Sequence, residues 1–472
     1  MTETIHIPEI FKKHFPYAEK RELKLISNIL NNVVGAKSED AISKLLQPST
    51  KHFNHPFLMK DLEKAADLII ETIDSGGKIL FWGDYDADGV TTIALFVKVL
   101  RDLGYDSDWI ASDRHKGGYG IDKEILKGLE DKYDLIVTGD VGIKEIETLG
   151  EVKTKVIVTD HHEPIVTKQL SELDKYEAFA EKIKNDDEWM AIPNVEAVVN
   201  PKRIDCKYPN KCLSGVAVVF KLFQGIFIKK NLEQKQLLHY LDIVSVGLVA
   251  DVMDQFDKKN QNSEVHLMTS IGIQLMNQFS STWVNSLRSI SNKASFTYND
   301  LGFFIGPRLN APGRLGSADI AVEFLLENDP ELSLELASDL ERINEERKRL
   351  QEEGVKSAKD QIGTVMENII VIKMDNKYHS GIAGLIAGDL SRKFNCPTIV
   401  LCEKEVNGEL FLTGSCRSIP GVNILELLIK TEKQIGSYKF GGHAEAAGLT
   451  LKDSDLDKFK RVIEILARNI DL

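Results

Sequence analysis

Residues 78–104 read KILFWGDYDADGVTTIALFVKVLRDLG, and their reading decides the fold class. KILFWG is an apolar run of strand length, GDYDADG a polar loop, and VTTIALFVKVLRDLG an apolar segment of helix length closed by glycine. The same order returns downstream. YDLIVTGD at 133–140 and KVIVTDHH at 155–162 are apolar runs that end in a carboxylate or an imidazole, and EAVVNP at 196–201 is a further strand-like run. Strands covered on both faces read as continuous Val/Ile/Leu stretches, and strands separated by helix-length segments belong to parallel sheets. The expected fold is therefore α/β with a doubly wound parallel sheet.

Outward from this centre, residues 1–62 read as a helical lead-in, with LKLISNILNNVV at 23–34 and SEDAISKLL at 38–46, and the α/β domain extends over 63–328. Within it, residues 165–195 are polar and poorly patterned and read as a helical excursion. CLSGVAVVFKLFQGIF (212–227) and DIVSVGLVADVM (242–253) read as buried helices. Asp329 and Pro330, as cap and first-turn residue, open a linking helix over 329–363 with an apolar stripe at Leu336, Leu340, Ile343 and Leu350 and a break at Gly354. Asn344 and Arg347 read as solvated positions on it. Residues 364–472 form a smaller α/β unit with strands NIIVIKM, PTIVLCEK and ELFLTGSCRS and helices GIAGLIAGDLSRKF and SDLDKFKRVIEILARNI.

Composition bounds the function. Of 472 residues, 43% are apolar and 28% charged, as in an ordinary globular enzyme, and Lys+Arg 59 against Asp+Glu 72 leaves −13. That balance argues against broad wrapping of nucleic acid, yet not against a nuclease that gathers a few arginines and neutralises phosphate with metal ions. No apolar run approaches a membrane span, the first residues lack the layout of an export signal, and five scattered cysteines make no disulfide framework, so a cytoplasmic chain is expected with Cys206 and Cys212 as free thiols.

Asp84, Asp86 and Asp88 stand at alternate positions in one tight loop, where they repel unless cations or donors neutralise them. Hard oxygen ligands suit Mg²⁺ or Mn²⁺. An EF-hand would need an acid six residues beyond the glycine, where VTTIALF stands instead. A strand-to-helix turn capped by aspartate remains the other reading. Asp140 ends the second strand and Asp160, His161 and His162 end the third, so topology brings these tips to one crevice at the carboxyl ends of the strands. Asp251 adds a carboxylate within an apolar segment, where it needs a charged or donor partner. Carboxylates and imidazole around hard divalent ions fit a two-metal phosphoryl hydrolase. Trp82 reads as core, and Tyr85 beside the acidic loop as a candidate for base stacking.

GDYDADGVT, TGDVG, TDHH and VADVM, in this order, resemble the four motifs of the DHH phosphoesterase superfamily. RHKGGYGI, VVNPKRIDCKYPNKCLSG, GPRLNAPGRLGSA, NEERKRLQ, HSGIAGLIAGDLSRKF, GSCRSIPGVN and FGGHAEAAGLTL resemble successive motifs of the bacterial RecJ exonuclease family, and LLQPSTKHFNHPFLMKDLEKA resembles its lead-in. The likeness runs from Leu45 to Leu451, with Pro312 and Asp389 departing from the commonest pattern. It implies a DHH domain joined by the long helix to a DHH-associated domain that binds nucleic acid, with the active site in the cleft between them. It implies an exonuclease that degrades single-stranded DNA 5′ to 3′ to 5′-mononucleotides in repair and recombination, using two Mn²⁺ or Mg²⁺ ions. The implied metal ligands are Asp84, Asp86, Asp88, Asp140, His161 and Asp251, with Asp140 bridging, His162 at the scissile phosphate and Asp160 orienting a neighbour. Arg114, Arg308, Arg314, Ser415, Arg417, Gly441, Gly442 and His443 would bind phosphates. Single-strand-binding protein and a helicase are the implied partners, and no membrane. Fuller members carry an OB-fold after the second domain, so the sequence to Leu472 resembles a short form with a weaker hold on single strands. The rival expectations are a DHH phosphodiesterase acting on short oligoribonucleotides or cyclic dinucleotides, and an inactive scaffold.

Overall fold

A computed structural model describes residues 15–113, 120–362, 368–406, 408–436 and 438–468. Two compact units divide the chain, Met1–Asn310 with Ser317–Leu340, and Ala311–Gly316 with Glu341–Leu472.

The first unit is built on a sheet of β1 (Ile79–Gly83), β2 (Asp108–Ala111), β3 (Leu135–Gly139), β4 (Lys155–Thr159) and, after an inserted segment, a last strand at Ala197–Val199. Every pairing in this sheet is parallel. Strand side chains alternate between faces, and here both faces are buried. Ile79, Phe81, Leu135, Val137 and Ile157 join the core under the helices Leu62–Asp74, Ala87–Asp102, Gly215–Lys229 and Leu241–Ala250. Leu80, Trp82, Ile136, Val156 and Val158 join a second core on the opposite face, with Ile143, Leu149, Met190 and Ile192. This double burial is why the strands carry unbroken apolar runs. The order runs β2-β1-β3-β4, so connections leave β1 in one direction and β3 in the other, and a crevice opens at their carboxyl ends.

The inserted segment corrects the expectation for residues 165–195. It forms an antiparallel sheet of β5 (Ile165–Thr167), β6 (Ala180–Asn185) and β7 (Glu188–Pro193), making the strand at Ala197–Val199 β8. Asp186 at φ 50° turns the β6–β7 hairpin, and Met190 and Ile192 alternate with Ala191 between two small cores.

Lys221 lies fully buried among apolar neighbours on the helix Gly215–Lys229. Its Nζ donates to the Asn54 carbonyl at 2.7 Å and to Glu264 Oε1 at 3.0 Å, while Tyr208 Oη donates to Glu264 Oε2 at 2.6 Å. The Asn54 backbone and side-chain amides donate to the same carboxylate at 3.0 and 2.7 Å. Every partner of this ion pair is thus satisfied, as a buried pair requires.

The long helix is Pro330–Gln361, capped by Asp329 Oδ1, which accepts from Glu331 N and Leu332 N at 2.9 and 3.0 Å. It is unbroken at Gly354, which instead leaves room for Ile386. Asn344 is buried rather than solvated, its Oδ1 accepting from Arg347 Nη2 at 2.5 Å. The second unit carries a sheet in the order β12-β13-β11-β10-β9, from β9 (Ile370–Lys373), β10 (Thr398–Val406), β11 (Glu409–Arg417), β12 (Tyr438–Gly442) and β13 (Ala446–Lys452). Only β9–β10 pairs in parallel there; the other pairings are antiparallel. The helices Ser380–Phe394, Ile424–Ile435 and Leu456–Ala467 complete the unit. Among the described residues no helix is long and apolar enough to cross a membrane.

Candidate active site

The crevice at β1 and β3 collects the acids. Asp84 follows β1 and Asp140 follows β3, and both are buried. Asp86 caps the helix Ala87–Asp102, its Oδ1 accepting from Asp88 N at 3.0 Å and Gly89 N at 3.1 Å. The capping reading of this loop holds for Asp86, while Asp84 and Asp86 lie in one group with Asp140. Asn310 Oδ1 accepts from Ala87 N at 2.9 Å and ties the loop from the side.

Asp88 is 1% exposed and held by a second helix. Its Oδ2 accepts from Gly215 N at 2.5 Å, and its Oδ1 from Ser214 Oγ at 2.9 Å and Val216 N at 3.2 Å. The two backbone amides are donors left free at a helix N-terminus, which favours negative charge. Position 215 admits only glycine, because a Cβ there would stand 2.5 Å from Asp140 Cβ. Asp140 itself has φ +61°, a left-handed conformation uncommon outside glycine and a form of strain often found where a side chain must be aimed.

His161 Nε2 stands 3.1 Å from Asp140 Oδ1, 3.4 Å from Asp251 Oδ2 and 3.8 Å from Asp88 Oδ2. Asp251 caps the end of the helix Leu241–Ala250. Asp160 does not join this convergence. Its Oδ2 accepts from Ile143 N at 2.9 Å, and its Oδ1 from His161 N at 2.7 Å, His162 N at 3.0 Å and His162 Nδ1 at 2.8 Å. It is the anchor of the two imidazoles. Asn200 Nδ2 adds a hydrogen bond to the His162 carbonyl at 2.9 Å.

The electrostatics follow from burial. Burial and the charge of Asp86 push Asp88 up to about 6. Burial with Asp88 and Asp86 pushes Asp251 up to about 8, and burial with the surrounding aspartates drives Asp140 well above the carboxylate range. Burial and the charge of His162 hold His161 down at about 3, so it is a neutral imidazole. Burial works against a charged His162, yet the Asp160 carboxylate outweighs it and lifts that ring to about 9. Burial would raise Asp160, but the charge and hydrogen bonds of His162 hold it below the usual range.

Three sets of ligand atoms each lie within 4.8 Å of one another: Asp84–Asp86–Asp140, Asp140–His161–His162 and Asp88–His161–Asp251. Asp140 and His161 are each shared by two sets. Asp140 Oδ1 and His161 Nε2 are both shielded from water without a hydrogen-bond partner. An acceptor oxygen facing an imidazole lone pair, among crowded acids, is the donor set a hard divalent cation satisfies. The residues present fit such ions.

The remaining positions fall in two groups. Arg308 lies in the first unit, 3.6 Å over the Phe304 ring, its Nη1 donating to the Phe304 carbonyl at 2.7 Å. In the second unit, Arg314 Nη1 donates to the Gly381 carbonyl at 3.2 Å. One turn along the helix Ser380–Phe394, the vacant Cβ position of Gly384 lies 2.8 Å from Arg417 Nη2 and 3.2 Å from Ser415 Oγ. Ser415 pairs with Gly448, which pairs with Gly441, so three strands line up here. Gly442 has φ +149° and His443 N donates to the Ala446 carbonyl at 2.8 Å. Arg114 lies outside the described residues. Trp82 is core, its Nε1 donating to Ser112 Oγ at 3.0 Å, and Tyr85 is half-buried against the core. Among the described residues the five cysteines form no disulfide.

Sequence reasoning passed over Ser214, Gly215 and Asn310. Ser-Gly directly before the apolar run VAVVFKLF is a helix-start signal, but nothing local says that this start meets Asp88.

A parallel sheet whose strand tips gather aspartates and paired histidines defines a protein of the DHH class. The DHH family, N-terminal domain, matches residues 78–248, and the DHHA1 domain matches 366–470. The single-stranded-DNA-specific exonuclease RecJ of Haemophilus influenzae is 30% identical over 445 residues, 89% of this chain and 71% of the relative. RecJ of Bacillus subtilis is 31% identical over 92% of this chain, which spans only about half (51%) of that relative's length. A crystal structure of exonuclease RecJ bound to manganese superposes with a TM-score of 0.70 and 27% identity, over 88% of this chain and 96% of that one. The chain belongs to the RecJ family.

Proposed function

We propose that this chain is a divalent-metal-dependent exonuclease that degrades single-stranded DNA 5′ to 3′ to 5′-mononucleotides in repair and recombination. The observation that carries the reading is the sharing of Asp140 and His161 among three ligand sets at the strand tips. The RecJ relatives, named as single-stranded-DNA-specific exonucleases, support the substrate, and structures named as binding Mn²⁺ support the ion.

Asp84, Asp86, Asp88, Asp140, His161 and Asp251 would hold two Mn²⁺ or Mg²⁺ ions, with Asp140 between them. When bound, such ions supply a hydroxide at neutral pH and neutralise charge on phosphate oxygens. The helix start at Ser214–Val216 keeps Asp88 aimed, and the left-handed backbone of Asp140 turns its carboxylate toward His161. His161 stays neutral and presents its lone pair. His162, held charged by Asp160 and one third exposed, donates to a non-bridging oxygen of the scissile phosphate.

Arg314, Ser415, Arg417, Gly441, Gly442 and His443 gather phosphate contacts in the second unit, where arginine forks and unobstructed backbone suit an anion. Arg308 adds a guanidinium to the first. Single-strand-binding protein and a helicase are the partners this role implies, and the cytoplasm its place. The test is a time course on end-labelled single strands of several lengths, with and without a 5′-phosphate, in Mn²⁺. Mononucleotides released from the 5′ end are expected. Cleavage restricted to dinucleotides would overturn the reading.

A further inference from the structure

Beyond the cage, the same rim carries apolar side chains left in water. Val252 is 82% exposed, Phe303 84% and Tyr298 42%. Single exposed apolar residues are ordinary; their placement here is not. Val252 directly follows Asp251 and has φ +55°, a strained conformation for a β-branched residue. Val252 N donates to the Val249 carbonyl at 3.1 Å, closing the end of the helix Leu241–Ala250. The segment Leu301–Ile305 is a π-helical turn, a form common at functional positions. It lies along that same helix end. The vacant Cβ position of Gly302 is 3.5 Å from Val249 Cγ1, and that of Gly306 is 3.3 Å from Ala250 Cβ. Asp254, two residues past Val252, acts electrostatically on the Tyr298 phenol. The segment continues to Asn310, which holds the acidic loop at Ala87.

Local strain thus holds Val252 in solvent next to Asp251, and an irregular helical turn holds Phe303 in solvent along the same helix end. The occupant that fits is the flat face of a nucleobase. Stacking requires no sequence and leaves the phosphates to the cage and the arginines. Bases in a duplex have both faces covered and cannot use such a surface.

We propose that Phe303, Val252 and Tyr298 form a shelf on which bases of the incoming single strand stack beside the cage, with Phe303 as its principal platform. This rests on the exonuclease reading and names a determinant of its preference for single strands. The test compares the wild type with Phe303→Ala and Phe303→Trp on two strands of equal length, oligothymidylate and one with abasic 5′-terminal residues. For Phe303→Ala, KM should rise on the order of tenfold more for oligothymidylate than for the abasic strand, with Phe303→Trp restoring it. Equal effects on both strands, or none, overturn the shelf. So does a change in oligomeric mass without a change in KM, which would make the surface a contact between copies of this chain. If the wild type cleaves neither strand, the exonuclease reading fails. The shelf is then judged by the affinities of the wild type and of Phe303→Ala for labelled oligothymidylate, where equal affinities overturn it.

Discussion

The first unit buries its candidate metal ligands, whereas the second leaves the residues proposed to meet phosphate near water. Asp84, Asp88, Asp140 and His161 are at most 3% exposed, while Gly441, Gly442 and His443 lie on the surface and Ser415 and Arg417 are half-buried. The contrast has a physical reason. Acids packed together out of water must find countercharge, and here Asp88 is fixed by a helix start, Asp86 by the turn it caps and Asp140 by a left-handed backbone. A strand's phosphates arrive already hydrated and charged, and a surface that receives them need only present donors.

That division can be broken by experiment. Asp140→Ala removes the group shared by two ligand sets and should cost on the order of 10³-fold or more in turnover of end-labelled single strands, with the fold intact by circular dichroism. Surviving hydrolysis would separate the cage from catalysis. The next effect is on stability. Asp88 and Asp251 titrate higher in the folded chain than in the unfolded one, so between the two values the native state binds more protons. Metal-free protein should therefore lose stability as pH rises from about 4 towards 8, because the raised carboxyls of Asp88, Asp140 and Asp251 outnumber the depressed His161, and Mn²⁺ should reverse the loss. Thermal melts in chelator and in Mn²⁺ across that range check the sign.

Two smaller effects sharpen the contrast. Ser214→Ala removes one donor to Asp88 and should raise the Mn²⁺ concentration for half-maximal activity roughly 10- to 100-fold, leaving KM for DNA near the wild type. Arg417→Ala should do the opposite, raising KM for single strands about tenfold with little change in metal dependence. If both substitutions moved both quantities together, the two units would not divide the work in this way.

Much of this was legible in the sequence, for reasons that also explain the gaps. β1, β3, β4 and β8 announce themselves because both of their faces are buried, and the polar residue after each run marks the crevice. β2 is a four-residue edge strand, DWIA, too short and too exposed to stand out. The β6–β7 hairpin turns on Asp186–Asp187 without glycine, so a polar stretch hid a sheet. The helix Ile424–Ile435 was passed over although its signals are local, in Asn423, which accepts from Glu426 N at 3.1 Å, and in Gly436 at φ +76°. The partners of Asp88 were beyond such reading, since Ser214 lies 126 residues away and meets it only through the packing of one helix against another.

The buried pair of Lys221 and Glu264 has a consequence for the lead-in. Its hydrogen bonding is completed from outside the sheet, by the carbonyl and both amides of Asn54. The Phe53 ring, 5.3 Å from the ammonium, shields the pair beside that asparagine. Cutting past it strands an ammonium and a carboxylate in the interior of the enzyme fold, which makes Asn54 a boundary for any minimal fragment.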